Sequence, residues 1–182
     1  EMEHDRTWLG TCWRFLPIQD PDVDVFISRD IDARLNSRDA WVVNQWLETD
    51  KTYHIIRDHP GHRWEMLAGL WGAKNFTDEH FFSKIDQFYS TSDPTFQTDQ
   101  MFLSHYYHKY IDKSDVLVHS DFYGFQDETV MSINQERDPD NMYLGMSHER
   151  DQLEHARINS LRSQLPAKFR TLSREDSPAA NK

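Results

Sequence analysis

Apolar residues fall along this chain in short blocks, and the spacing within each block predicts an element. Residues 23–28, VDVFIS, are rich in β-formers and stop at the charged segment RDIDAR, which predicts a strand feeding a loop. SRDAWVVNQWLET follows, with Ser37 as N-cap, Asp39 in the first turn, and Trp41, Val42, Val43, Trp46 and Leu47 on roughly one face. That spacing predicts a helix. TYHIIR, residues 52–57, is β-branched and aromatic and ends at DHPGHR, which predicts a second strand broken by Pro60 and Gly61. Strand, helix, strand suggests a parallel βαβ unit.

Farther along, WEMLAGLWGAKNF (64–76) is apolar but carries Gly69 and Gly72, so it reads as a helical turn or loop suited to close backbone approach to a ligand. TDEHFFSKIDQFY with Thr77 as cap and TDQMFLSHYYHKYID with Thr98 as cap predict two helices. DVLVHSDFYGF (115–125) predicts a strand running into a polar turn, and residues 126–141 read as turn-like, with DPDN a loop signal. A polar surface helix capped by Ser147 is expected over 147–165. The expected organisation is one α/β domain over 1–165 and a tail over 166–182, mobile or held by a partner.

Composition narrows the chemistry. The formal net charge is -11, and no cluster of Lys and Arg interleaved with aromatics offsets it, which argues against nucleic acid as a partner. Acidity is compatible with a bound divalent cation and equally with a solvated acidic surface. Cys12 is the single cysteine, so an internal disulfide and a cysteine-based zinc site are excluded; without a neighbouring histidine it reads as a buried hydrophobe. No apolar run approaches the ~20 residues that cross a bilayer.

Two constellations carry chemistry. In an extended or turn segment the carboxylates of Asp30 and Asp32 point the same way and can converge on one hard cation, Mn²⁺ or Mg²⁺; loop acids paired with Arg29 and Arg34 are the alternative. His54, His59 and His62 lie close in sequence beside Asp58, either as zinc ligands or as a hydrogen-bonded loop. Arg57 and Arg63 suit phosphate or carboxylate groups, or ion pairing. The aromatics of the helix that carries His105 and His108 suit a core. Trp64 and Trp71, flanked by loop residues and glycines, suit stacking on a sugar or base.

The segments FISRDIDARLNSRDAWVVNQWL, YHIIRDHPGHRWEMLAGLWGAK, TDQMFL and HSDFYGF, in that order over about residues 13–125, resemble a family of glycosyltransferase-like proteins with the GT-A nucleotide-diphosphosugar transferase fold. The resemblance implies a partial GT-A-like mixed sheet flanked by helices. It also implies transfer of a sugar from a nucleotide-diphosphosugar to a glycan or protein acceptor, and a secretory location. Carried over by position, Asp30, Asp32 and His119 would hold the metal. Arg29, Gly69, Trp71, Gly72 and Gln100 would meet the donor, and Asp99 would be the catalytic carboxylate. Ala33 stands where the family has serine, AGLWG replaces Gly-Gly-x-Trp-Gly, and HSDFY inverts the His-Asp-Ser order. The family's nucleotide-binding half precedes the Asp-x-Asp strand, whereas 29 residues precede Asp30 here. The chain is therefore expected to be a fragment of a transferase, a silent remnant serving as an interaction subunit, or a chain whose missing strands a partner supplies.

Overall fold

The computed structural model describes residues 7–92, 97–137, 143–147 and 170–181. Its elements follow in order β1 (Val25–Arg29), α1 (Ser37–Leu47), β2 (Tyr53–Arg57), β3 (Leu70–Lys74), α2 (Phe81–Thr91), α3 (Thr98–Tyr110), β4 (Val116–Ser120), β5 (Tyr123–Phe125), β6 (Thr129–Met131) and β7 (Arg170–Leu172), with a 3₁₀ segment, Thr7–Gln19, ahead of them. The architecture is mixed α/β. A five-stranded sheet runs β1-β3-β2-β4-β6, and β5 pairs with β7 in a separate ribbon.

The sheet corrects the expected parallel unit. β3 runs antiparallel to both β1 and β2 and lies between them, whereas β2, β4 and β6 are parallel neighbours. β1 and β2 thus still point the same way, with their carboxyl ends on one edge, but they do not touch. The segment expected to be a loop supplies this inserted strand, and all five of its residues are buried. Gly72 is what allows it: a Cβ there would lie 2.7 Å from the Phe26 carbonyl oxygen and 3.4 Å from the Trp46 ring. Small size at a crowded crossing, not ligand approach, explains this glycine.

Residues opposite one another in the register share a face. Trp71, Ile55, Phe26 and Ala73 face the larger core, with Phe15, Ile18, Phe81, Ile85, Phe102 and Tyr106 from the 3₁₀ segment, α2 and α3. On the other face α1 lays Val42 against Ile56 and Leu70, joined by Ile133 and Leu144. α1 begins at an Asn36 side chain that accepts from the Asp39 N–H at 2.9 Å, one residue before the expected cap. α2 starts at Phe81 rather than beside Thr77, and β6 is a strand inside the stretch expected to be turn-like.

Ion pairs close the carboxyl edge of the sheet. Arg38 of α1 is 2% exposed and reaches Asp58, after β2, at 2.8 Å and Asp121, after β4, at 2.9 Å. Arg137 bridges the same two carboxylates, and the Leu144 N–H also donates to Asp58. Within the expected tail, β7 pairs with β5, and Ser177 is fully buried and donates to Glu65 at 2.8 Å. The helix expected over 147–165 lies, after Ser147, outside the described residues, as does all of DPDN. No helix among the described residues is long and apolar enough to cross a membrane.

Candidate functional site

β1 leaves the sheet at Asp30, and the turn is closed by the Ala33 N–H donating to the Asp30 carbonyl at 3.0 Å. Arg29 folds back from this point. Its Nε and Nη2 grip both carboxylate oxygens of Asp39, at 3.1 and 2.8 Å, and Nη1 donates to the Ser28 carbonyl. This two-toothed pair anchors the first turn of α1 to the end of β1, so the expected donor contact is committed inside the protein. Asp30 faces the opposite neighbour: Arg14 of the 3₁₀ segment donates to its Oδ1 at 2.5 Å. Both side chains keep contact with solvent, at 35% and 44% exposure.

Gly69 lies directly against that carboxylate, since a Cβ there would stand 2.3–2.7 Å from the Asp30 carboxyl atoms. The loop is clamped from both sides. Ser28 Oγ donates to the Ala68 carbonyl at 2.6 Å, the Gln100 amide oxygen accepts from the Ala68 N–H at 2.9 Å, and the Gln100 amide nitrogen donates to the Met66 carbonyl. Gln100 therefore acts as a brace for the loop that carries Gly69. Its neighbour Asp99 sits in the first turn of α3, entered through Gln97 in the left-handed region, φ +74°, a conformation that costs a side chain energy.

Asp99 is 8% exposed. Burial raises its pKa from the ordinary aspartate value and Asp30 adds to the rise, while backbone donors and Arg14 oppose it. Asp30, Arg14 and Asp99 therefore sense one another electrostatically. Cys12 borders the same group, its Sγ 3.2 Å from the Tyr89 hydroxyl. Burial pushes its thiol up to about 11, against the hydrogen bond to Tyr89, which makes it a packing residue, as the sequence suggests.

Other expected residues lie elsewhere. Asp32 is exposed in the turn beyond Asp30. His119 is on β4, separated from β1 by β3 and β2, three strand spacings or about 14 Å across the sheet. Its ring is fully buried, 2.8 Å from His54 and edge-on to Trp41, and burial pushes it down to about 4, opposed by Asp121. The expected ligand set Asp30, Asp32 and His119 does not assemble, and no group of three His, Cys, Asp or Glu among the described residues could hold a metal ion. Trp71, expected at the donor, is buried against Phe15, Phe26 and Phe81. His59 and His62 pack with Tyr143 at centroid distances of 4.5–5.6 Å, while His54 pairs with His119. Arg57 is buried with Glu128, both bonds 2.7 Å.

Arg14 is the member of the site that sequence reasoning missed, since nothing in TCWRFLP distinguishes it from a surface arginine. Comparison with known proteins finds no match to this chain among family models, curated proteins or solved structures.

Proposed function

We propose that the chain carries a glycosyl-transfer site of GT-A-like design, using a nucleotide-diphosphosugar donor and a glycan or protein hydroxyl as acceptor. The observation that supports this reading is the grouping of Asp30, Gly69, Asp99 and Gln100, separate in sequence, at the carboxyl end of β1, the sheet edge where α/β proteins bind ligands. Glycine at 69 leaves no side chain between the loop and Asp30. Asp99 is the carboxylate that would take the acceptor proton, and its burial raises its pKa in the direction that strengthens a base. In the proposed reaction the acceptor hydroxyl oxygen bonds to the anomeric carbon, the bond to the diphosphate breaks, and Asp99 takes the hydroxyl proton. The diphosphate leaves with its electron pair, and the Arg14 guanidinium beside Asp30 offsets the charge that develops.

No step is routed through the divalent cation that the resemblance implies, because His119 stays inside the sheet and Asp30 already has a cationic partner. That same ion pair favours a second reading, in which the site is a silent remnant and the chain an interaction subunit. Nucleoside diphosphate release from a panel of donors, with and without Mn²⁺, separates the two. Release that falls at least tenfold in Asp99→Asn supports transfer chemistry; no release from any donor, with acceptors present, supports the silent remnant.

A further inference from the structure

The turn that leaves β3 reads Asn75-Phe76-Thr77, and the pattern Asn-x-Ser/Thr occurs nowhere else in the chain. Such a triplet arises by chance in many sequences, so its surroundings decide what it is. Phe76 is half-buried, edge-on to Tyr53 at 6.2 Å and to Phe81 at 5.5 Å, and it anchors the turn on the core. Its neighbours Asn75 and Thr77 are both exposed. Asn75 lies in the left-handed region, φ +50°, which asparagine tolerates better than most residues, and its N–H donates to the Asp24 carbonyl at 3.2 Å. The backbone therefore accounts for an asparagine at this turn. It does not account for the threonine. The cap expected at Thr77 is not formed, because α2 starts at Phe81, and neither the Thr77 hydroxyl nor the Asn75 side-chain amide makes a hydrogen bond among the described residues. An open hollow of about 510 Å³, lined by Gln19, Phe76, Thr77, Asp78 and Glu79, adjoins the turn and leaves room for a bulky group.

We propose that Asn75 is an N-glycosylation site, its side-chain amide accepting an oligosaccharide from a lipid-diphosphate donor. Asn75 Nδ2 bonds to the anomeric carbon of the oligosaccharide, and the bond from that carbon to the diphosphate breaks. The lipid diphosphate leaves with the electron pair, and the amide gives up one proton. Passage of the chain through a lumen that holds this donor is the only condition, and the modification is independent of the transfer reading. Gly69, against Asp30, and Asn75 flank opposite ends of β3, about 20 Å apart at strand spacing. A glycan on Asn75 thus leaves the carboxyl edge of β1 open.

The test is secretion of the full chain from a eukaryotic host behind an appended leader, read by intact mass and by peptide mass before and after treatment with a glycan-releasing amidase. One discrete mass increment is expected, removed by the amidase with aspartate left at position 75. The increment should vanish in Asn75→Gln and in Thr77→Ala and persist in Thr77→Ser. Thr77→Ala should melt with the amidase-treated parent, since its hydroxyl holds nothing in the fold, so loss of the increment there is not a folding defect. An unaltered chain secreted without the increment, while a carrier glycoprotein from the same cells bears its own, overturns the assignment, as does an increment that survives Asn75→Gln.

Discussion

Replacing each of two glycines by alanine separates a structural contact from a functional one. At Gly72 the new methyl meets backbone: the Phe26 carbonyl oxygen would stand 2.7 Å away, with the Ile27 side chain at 3.2 Å and Trp46 at 3.4 Å. A sheet paired on both sides of β3 cannot yield locally. Overpacking of this kind costs about 1–3 kcal/mol, and the reduced freedom of the unfolded chain returns about 0.4–1 kcal/mol. Gly72→Ala should therefore lose about 1–2 kcal/mol, or about 2–8 °C in Tm for a chain of this size. At Gly69 the contact is closer, 2.3 Å, but the atoms met belong to a half-exposed Asp30 side chain that can rotate. Its cost is the Arg14 pair, about 0.2–1 kcal/mol for an exposed ion pair, which the same unfolded-state gain of about 0.4–1 kcal/mol cancels. Gly69→Ala should melt with the parent chain yet lose donor binding. Thermal unfolding by circular dichroism, with denaturant midpoints as a check, reads both. If Gly72→Ala matches the parent, the crowding at β3 is misplaced; if Gly69→Ala falls as far as Gly72→Ala, the Gly69–Asp30 contact is structural.

Further outcomes follow from the buried polar groups. His119 is pushed down to about 4 and His54 well below 6.5, both mainly by burial, so folding favours their neutral forms. Below pH 6.5 the unfolded chain binds more protons, so this stability is complete above that pH and is lost on acidification toward pH 4. The expected slope is about 1.4 kcal/mol per pH unit for each histidine, read from urea midpoints between pH 7 and 4.5; a flat profile contradicts the buried pair. His119→Leu should cost about 1–3 kcal/mol by orphaning His54 Nε2, and adding His54→Leu should recover most of it. Asp58→Ala leaves Arg38 buried with Asp121 as its remaining carboxylate, and urea unfolding should show a loss of about 3–5 kcal/mol. Ser177→Ala removes one donor from buried Glu65; a loss of about 1–3 kcal/mol is expected, with faster amide exchange at β7, and unchanged exchange speaks against docking of this segment.

What the sequence could reveal depended on how local each cause was. β1, β2 and β4 carry β-branched runs bounded by polar residues, α1 carries a cap, and α1 and α3 both carry first-turn aspartates, all short-range signals, so those elements start within a residue or two of expectation, although the cap expected at Thr98 is absent and Thr98 is the first residue of α3. β3 was hidden because LAGLWGAK carries two glycines whose reasons are tertiary: one yields to Trp46 and Phe26, the other to Asp30. β6 is three residues of a mostly polar stretch. Sheet order is a long-range property, and it removes His119 from Asp30: adjacency in a motif says nothing about how many strands intervene. Trp71 looked loop-borne for the same reason, since the strand that buries it was not visible. Asp30 was visible as an Asp-x-Asp pair at a strand end, whereas Asp99 and Gln100 were found by resemblance rather than by periodicity. Arg14 had no signal, because its role arises only when the 3₁₀ segment crosses the end of β1.

The central claim is that Asp30 and Asp99 serve one donor site at the carboxyl end of β1. Calorimetric titration of the chain with nucleotide-diphosphosugars, with and without Mn²⁺, beside Asp30→Asn and Asp99→Asn, tests it most directly. The account predicts that one donor binds, that Asp30→Asn, folded and equally stable, weakens it at least tenfold, and that Asp99→Asn binds it but releases nucleoside diphosphate at least tenfold more slowly. Donor binding untouched by Asp30→Asn, release untouched by Asp99→Asn, or no donor binding to the folded chain, would contradict it.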